Sequence, residues 1–520
     1  MSEAGSLPEE IAPKSDKAES DSPAEAASSP QIALELLLHP DDAARLARVP
    51  EIAALSVGRP RNTALEIVWH DTPDAALAKM GLSLTETRLG SQRLCRLEAA
   101  QRWPALQPAV VAEAATVAGL ADALPAPLAA MAALQGQQRS FRLASDAPVG
   151  GIELWSGTLR AVTAEHPAAR LRLHGTPDAV FDLASALARP LRLSVGGASL
   201  AAEALALGRP HSKPRPPAPP TLEPGLSVSE AFASVVGRLT AILLHHAPAA
   251  IAAEAPEPVH QMRVALRRLR SAMSLFARAT WCAELDVARA QLKPVAAALG
   301  PARDWDVFTT GTGRAVGIAF ADERAVTRLL AAAERQRLAS YQTLRETLDS
   351  AGFRILTITL ARLALARPWE RVLDGEAMDA DRAEMLAMDL RHYAERALSR
   401  RFRHVRTAGE NAAALTLADL HALRIQCKRL RYAAEFFAPL FPGNNTRRFI
   451  RRLSALQERL GHLNDGAVAS ALVAALGSAA GERSLAAGVV RGFVAAQTGD
   501  VRADAERSWR KFQDNKPFWS

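Results

Sequence analysis

Four residues with cationic or titratable side chains recur at helical spacing in one segment of this 520-residue chain. At 100° per residue, a helix over 259–276 places His260, Arg263, Arg267 and Arg270 within an arc of about 80°, in a stripe roughly 15 Å long. Guanidinium groups match phosphate oxygens in geometry, and a histidine can donate a neutral N–H or become charged as an anion binds. The stripe holds no carboxylate, thiol or second histidine, so we expect it to bind an anion rather than a metal ion.

A second copy of the stripe follows 161 residues later. The segment VHQMRVALRRLRSAMSLF at 259–276 aligns with LHALRIQCKRLRYAAEFF at 420–437, and LGPARDWDV at 299–307 aligns with LGHLNDGAV at 460–468. Because both blocks share one offset, no net insertion separates them, which indicates a duplicated helical unit. The residues of the second stripe are His421, Arg424, Lys428 and Arg431.

The polar face of each copy is almost purely cationic. Cations at i, i+3 and i+4 repel by a few tenths of a kcal/mol per pair, yet 259–276 contains no acid and 420–437 contains only Glu435. One interpretation is a solvated basic face, or a face that forms salt bridges with Asp304 and Asp465 of the neighbouring blocks. The other is a pair of facing stripes that form a groove for a linear polyanion. The basic face shows no exposed aromatic residue for base stacking, which favours a chain of inorganic phosphates over single-stranded nucleic acid.

Composition divides the chain into regions that must position these stripes. Residues 1–30 are rich in Ser, Ala, Pro and acids and predict a disordered acidic tail. Residues 31–207 mix strand alternation with short helical patterns and predict an α+β domain around an antiparallel sheet. The prolines of 208–224 predict a stiff, extended linker, and the long helical patterns of 225–515 predict an all-α bundle.

Charge and hydropathy limit the functions that the chain can have. Residues 221–520 hold 42 Lys and Arg against 31 Asp and Glu, a net charge of +11, whereas the first 220 residues have a net charge of −3. A positive field of this size indicates a polyanionic partner. No uncharged apolar run reaches about 18 residues, so we expect no membrane span. Three separated cysteines and the lack of an apolar leader predict a cytoplasmic protein.

The paired H-x-x-R-[VI]-x-x-[RK]-R-x-R helices and the LGPARDWDV and LGHLNDGAV blocks resemble the CHAD domain, the conserved-histidine α-helical domain. The resemblance implies two four-helix bundles related by pseudo-twofold symmetry, with a basic groove that binds inorganic polyphosphate, without a cofactor and in association with polyphosphate granules. It assigns Asp304, Asp306 and Asp465 to orienting arginines or capping helices. The implied binding residues are His260, Arg263, Arg267, Arg270, His421, Arg424, Lys428 and Arg431, with Arg268, Arg429, Lys293, Arg451 and Arg452 as further candidates.

The segment WHDTPDAALAKMGLSL at 69–84 resembles the aromatic-DTPD…GL segment of the CYTH or triphosphate tunnel metalloenzyme family. That resemblance implies an antiparallel sheet shaped as a tunnel or barrel. In that family, acidic residues on the tunnel strands hold Mg²⁺ or Mn²⁺ and basic residues hold the triphosphate.

The sequence departs from that family where its chemistry needs particular side chains. The family's opening strand reads E-x-E-x-K, whereas 33–37 reads ALELL and keeps one acid. Thr85 and Thr87 stand where an R-x-R pair is expected, and the run RLRL at 170–173 stands where acids alternate. Hard cations need several oxygen ligands, so we expect a catalytically degenerate domain without a metal. The acids that remain are Glu35, Glu66 and Glu153.

Two alternative functions stay open beside non-enzymatic polyphosphate binding. An active N-terminal domain would make the protein a metal-dependent inorganic triphosphatase with Mg²⁺ or Mn²⁺ as its cofactor. The basic helices could instead bind nucleic acid, which we disfavour. The arginine run Arg400, Arg401, Arg403 and Arg406 is either a solvated helix face or an extension of the basic groove.

Overall fold

The chain folds into an antiparallel sheet domain followed by an all-helical part, which confirms the predicted fold class. The computed structural model describes residues 31–99, 110–117, 127–209, 216–371, 380–410, 416–476, 485–497 and 501–519. The tail predicted at 1–30 lies outside the described residues.

The N-terminal domain is built on nine strands in the described part of the chain, all paired antiparallel. Their order across the sheet is β5-β4-β3-β2-β6-β7-β8-β1-β9. The strands are β1 (Ile32–Leu38), β2 (Arg61–Asp71), β3 (Leu82–Leu89), β4 (Gln92–Ala99), β5 (Val110–Ala114), β6 (Ala129–Ser140), β7 (Val149–Ala161), β8 (Glu165–Gly175) and β9 (Leu193–Ser194). The helices of this domain are α1 (Pro50–Leu55), α2 (Ala76–Lys79), α3 (Pro177–Leu187) and α4 (Leu200–Leu207).

The sheet curves around a cavity of about 580 Å³, the tunnel cavity, whose wall draws on seven strands and on α4. Successive side chains of β1 point to opposite faces of the sheet, so this strand contributes to both the core and the cavity. Leu34, Leu36 and Leu38 are fully buried in the core on one face, while Glu35 lines the cavity on the other.

The C-terminal part consists of helices in the described residues. They are α5 (Val228–Ala252), α6 (Glu257–Leu275), α7 (Ala277–Thr280), α8 (Ala283–Thr310), α9 (Thr312–Ala319), α10 (Arg324–Asp349), α11 (Ala351–Ala366), α12 (Ala380–Ala387), α13 (Leu390–Ala408), α14 (Leu417–Phe437), α15 (Asn444–Ala475), α16 (Leu485–Gln497) and α17 (Val501–Gln513). The two basic segments found in the sequence are α6 and α14.

The helices repeat along the chain with the spacing of the sequence blocks. Helices α8 and α15 begin at Ala283 and Asn444, which are 161 residues apart. Packing repeats as well, because α6 lies between α5 and α8 as α14 lies between α13 and α15. The two halves meet where α6 packs on α14, which brings the two basic helices side by side.

The sheet domain and the helical part share one hydrophobic core. Residues from β1, β8, α3 and β9 belong to the same buried cluster as residues from α5, α6 and α11. The Val195 backbone N–H donates to the buried Thr357 Oγ1 over 3.1 Å, and Arg362 on α11 pairs with Asp178 on α3. A Cβ atom at Gly197 would lie 2.9 Å from the carbonyl oxygen of Leu244, so the absence of a side chain there permits this close approach.

The proline-rich segment is anchored to that core. Residues 216–224 form neither helix nor strand, and 210–215 lie outside the described residues. Leu222 is fully buried. The described part of the segment therefore runs along a domain contact and does not hold the two domains apart.

Helix α5 is the one helix in the described ranges that is long and apolar enough to cross a membrane by length and composition. Within the protein, 56% of its apolar window is buried, and Arg238 interrupts it. Helix α5 starts from a capping box in which Ser227 Oγ accepts from the Glu230 N–H and the Glu230 carboxylate accepts from the Ser227 N–H.

Candidate anion-binding groove

Helices α6 and α14 line a common cavity of about 460 Å³, which we call the groove. Its cationic residues are Arg263, Arg267 and Arg270 from α6, Lys428 and Arg429 from α14, and Arg401 from α13. No carboxylate is among the described residues that line it. Three residues of the first stripe and Lys428 of the second thus face one space, together with Arg429 and Arg401, which belong to neither stripe.

The floor of the groove is aromatic. The Arg267 and Arg431 guanidinium carbons each lie 5.4 Å from the ring centroid of Tyr432, and that of Arg268 lies 5.0 Å from the ring of Phe436. These distances are typical of cation–π contacts. The rings hold the guanidinium groups in place from below.

The sequence analysis expected no exposed aromatic residue on the basic face, and the aromatic residues that lie beside it are buried. Tyr432 lies about 20° from His421 on a helix at 100° per residue, directly beside the stripe. The rings of Tyr432 and Phe436 are 5% and 1% exposed, so arginines cover them and no base can stack on them. The argument against nucleic acid rests on this burial rather than on the absence of aromatic residues.

The cations of the groove lie close enough to affect one another's ionisation. Burial, and then Arg424 and Arg267, lower the pKa of Lys428 to about 8. Burial, and then Arg429 and Arg400, lower the pKa of Arg401 to about 10. The free protein therefore holds like charges together that repel, and an anion in the groove would relieve this repulsion.

The protein's own carboxylates neutralise only part of this charge. Arg263 pairs with Asp304 over 3.5 Å, and Arg431 pairs with Glu435 over 3.4 Å. A Cβ atom at Gly300 would lie 3.3 Å from Arg263 Nη1, so this glycine leaves room for the arginine to cross α8. The side chain of Asp465 lies outside the described residues.

Apart from the two histidines, the stripes contain six residues, and four of these form no ion pair with any described residue of the protein. They are Arg267, Arg270, Arg424 and Lys428. Arg267, Arg270 and Lys428 line the groove, while Arg424 is partly buried and acts on the pKa of Lys428.

The two histidines lie at the heads of the stripes and not in the groove wall. His260 is partly buried, and burial followed by Arg303, Arg267 and Arg263 lowers its pKa. His421 is exposed.

Several further candidates lie away from the groove. Lys293 and Arg451 are exposed and do not line it. Arg452 donates to Asn515 Oδ1 over 2.6 Å and to the Lys511 carbonyl, which directs it toward the end of α17. Its assignment to the groove is therefore corrected, because sequence spacing could not show that the C-terminal segment lies against this side of α15.

Asp306 orients an arginine, as predicted, but that arginine lies outside the groove. It is fully buried, accepts a hydrogen bond from the Tyr341 hydroxyl over 2.8 Å and pairs with Arg337 over 3.4 Å. It therefore connects α8 to α10 and orients no groove arginine.

Sequence reasoning underestimated Arg401, Ser271 and Ser274, which line the groove. Arg401 belongs to the arginine run that the sequence analysis named as an extension of the groove. The serines gave no signal, since neutral hydroxyl groups are common on helix surfaces.

In the tunnel cavity, the acids do not converge on a metal site. Burial opposes the ionisation of Glu35, but Arg172 and Arg170 together hold its pKa below its usual value. Its carboxylate accepts from Arg172 over 2.8 Å and from the Leu200 N–H over 3.1 Å. Glu35 is thus already neutralised by the protein.

The other acids of the sheet domain are dispersed. Glu66 is not part of the cavity wall and pairs with Arg88 over 3.6 Å. Glu153 lines the cavity, as does Glu98, which the sequence analysis missed and whose pKa burial raises. No cluster of three or more metal-ligating side chains occurs within the described ranges. These residues do not fit the Mg²⁺ or Mn²⁺ that the CYTH resemblance implies.

A family model matches most of the helical part. Residues 234–474 match the family model of the CHAD domain. The chain is similar to the CHAD domain from the plant Ricinus communis, with 27% identity over 59% of this chain and 98% of that one and a TM-score of 0.49. It is similar to PptA from Streptomyces chartreusis, with 18% identity over 56% of this chain and 99% of that one and a TM-score of 0.39.

A third similar structure is HpAC1 from Hippeastrum, named as an adenylyl cyclase and described as having a dominant triphosphatase activity. The identity is 11% over 30% of this chain and 84% of that one, with a TM-score of 0.23. No curated protein matches the chain. The matched segment 234–474 contains both basic helices and the whole groove. The helical part of this chain therefore contains a CHAD domain.

Proposed function

We propose that the groove between α6 and α14 binds inorganic polyphosphate and that this binding requires no catalysis. One observation carries the proposal: six cations from three helices converge on a single cavity, and no described carboxylate shares its wall. Holding like charges together costs free energy in the unliganded protein, and an anion with many closely spaced charges compensates several of them at once. Membership of the CHAD domain family supports this choice of ligand.

The features of the groove favour an inorganic polyanion over nucleic acid. An arginine guanidinium group can donate two parallel hydrogen bonds to phosphate oxygens. Proteins that bind single-stranded nucleic acid without sequence preference also stack the bases on exposed aromatic side chains. The rings of Tyr432 and Phe436 lie beneath guanidinium groups and are buried. The groove therefore recognises charge and spacing and has no surface for a base.

We further propose that the sheet domain is a catalytically degenerate relative of the CYTH fold. Its opening-strand acid, Glu35, is engaged by Arg170 and Arg172, so a metal ion would have to displace two arginines. The protein as a whole is then a polyphosphate-binding protein of the cytoplasm that associates with polyphosphate granules. Its sheet domain supports the helical part through the shared core.

A salt titration tests the proposed ligand. If each of the six groove cations neutralises a phosphate with the slope found for single strands, log K should fall with log salt concentration with a slope of about −4. This corresponds to about 300-fold weaker binding of long-chain polyphosphate at 200 mM than at 50 mM salt. The measurement is calorimetry or fluorescence anisotropy at several salt concentrations, with single-stranded RNA as competitor. A slope near zero, or equal competition by RNA, would contradict the proposal.

Affinity should also depend on pH through Lys428. Its pKa of about 8 in the free protein means that it is mostly charged at neutral pH and mostly neutral at pH 9.5. A bound phosphate chain favours the charged form, so binding takes up a proton above pH 8 and weakens as pH rises. We expect about tenfold weaker binding at pH 9.5 than at pH 7.5. The matched variant Lys428→Arg keeps its charge and should lose this dependence; an unchanged pH profile in that variant would assign the effect to another group.

A further inference from the structure

A second cationic cavity lies on the other side of α13 from the groove. It has a volume of about 540 Å³ and is lined by Arg396, Arg400 and Arg403 of α13 and by Arg278 of α7. The three arginines of α13 are spaced i, i+4 and i+7, so they share one helix face and repel one another. Neither the CHAD motif helices nor the groove includes any of them.

The four arginines are not neutralised within the described part of the protein. None of them forms an ion pair or a hydrogen bond with a described residue. One carboxylate, Glu395, borders this second cavity, and it pairs with Arg391 over 3.6 Å and His392 over 3.9 Å. Arg278 and Arg400 both act on the ionisation of Tyr393, which shows that they gather around one point.

The wall of the second cavity offers no ring for a nucleobase. Trp519 is 5% exposed, its indole N–H donates to Ser399 Oγ over 2.9 Å, and its ring packs against Phe402 and Phe449. The Tyr393 hydroxyl donates to the Leu275 carbonyl over 2.8 Å. The polar groups of both aromatic residues are thus already bonded, and the arginines are the groups left to hold a ligand.

The walls of the groove and of the second cavity adjoin at two places. Arg401 lines the groove, and its neighbour in sequence, Arg400, lines the second cavity. Leu275 at the end of α6 lines the groove, and its carbonyl accepts the hydrogen bond from Tyr393 in the second cavity. The two sets of unneutralised arginines therefore lie next to each other in the fold, with α13 between them.

We propose that the cavity lined by Arg278, Arg396, Arg400 and Arg403 is a second binding site for condensed phosphate, occupied by the continuation of a chain that fills the groove. The inference rests on the proposed function of the groove. It adds a chain-length threshold: a short oligophosphate engages the groove alone, whereas a long chain gains contacts at both sites.

The test compares tripolyphosphate with long-chain polyphosphate in the full chain. Arg396 and Arg403 are exposed, so Arg396→Glu with Arg403→Glu should leave the fold intact, and Arg396→Gln with Arg403→Gln provides a milder pair. The matched control, Arg328→Glu with Arg335→Glu, makes the same charge change on exposed positions of α10 that line neither cavity. Affinities and salt slopes are measured by calorimetry for each ligand.

We expect the Glu pair to weaken binding of long chains at least about tenfold more than binding of tripolyphosphate, and to reduce the long-chain salt slope by about 1.4. The Gln pair should have a smaller effect in the same direction. If the long-chain loss equals that of the α10 control, or if both ligands lose affinity equally, the second site is wrong. The groove proposal fails separately, when the wild-type protein does not bind long chains or when changes inside the groove leave binding unaltered.

Discussion

Reversal of one charge on each side of the groove is expected to abolish tight binding of polyphosphate. The variant Arg267→Glu with Lys428→Glu replaces two cations that line the groove from α6 and α14 and that form no ion pair with any described residue. A charge-assisted hydrogen bond contributes about 1.5–3 kcal/mol, and two lost contacts correspond to at least about 100-fold weaker binding. The introduced carboxylates also repel the ligand, so the true loss should be larger.

The control for this experiment makes the same change in net charge at positions outside the groove. Arg328→Glu with Arg335→Glu changes the same number of charges at exposed positions on α10, outside the groove. Helix content and thermal unfolding are recorded for both variants, because the groove variant relieves repulsion and should be no less stable than the wild type. Equal loss in both variants would mean that binding follows net charge alone, and unchanged binding in the groove variant would remove the groove as the site.

Replacement of Glu35 is expected to cost stability and not activity. In Glu35→Gln, Arg172 loses the carboxylate that compensates it, and the buried Arg170 keeps only its ion pair with Glu203. Breaking a buried ion pair by removing one partner costs about 3 kcal/mol or more in the free energy of unfolding. Phosphate release from tripolyphosphate with Mg²⁺ or Mn²⁺ should be at the background rate in both proteins.

The pH dependence of this effect has a definite sign. Because the folded-state pKa of Glu35 lies below its ordinary value of 4.5, its charge stabilises the protein above that pH. The stabilisation is lost as pH falls through the lower folded-state value, so the difference between wild type and variant should shrink in acid. Denaturant unfolding at neutral and acidic pH measures it.

Glu153→Gln is the matched control for Glu35. Glu153 lines the same cavity but has no ion-pair partner in the described ranges, so its replacement should change stability by less than about 1 kcal/mol. Metal-dependent turnover in the wild type that disappears in Glu35→Gln without loss of stability would show instead that Glu35 serves catalysis. The alternative of an inorganic triphosphatase would then replace the degenerate domain.

The contact between the two domains should couple their stabilities. Arg362 reaches Asp178 and Asp182 on α3, and Thr357 accepts the Val195 N–H in the buried interface. One hydrophobic core continues from the sheet into α5 and α11. We therefore expect the two domains to unfold together. The stability of the helical part should therefore depend on the presence of the sheet domain.

Much of this protein was decided by its sequence alone. The duplication with its offset of 161, the two cationic stripes and the division into a sheet part and a helical part all follow from local periodicity, which short-range geometry enforces. The loss of one Glu and of the Lys from 33–37 can likewise be seen in the sequence alone. These features need no knowledge of what packs on what.

Tertiary structure alone decided which charges meet. Arg401 and Arg429 join the groove and Arg452 turns to Asn515 because helix packing sets the neighbours of each face, and helical spacing fixes a side chain's direction without naming its partner. Packing also placed Tyr432 beneath two arginines, merged two domains across a proline-rich segment into one core, and aligned a second arginine cavity behind α13. Each of these results depends on contacts between residues far apart in the chain, which no pattern within a single segment encodes.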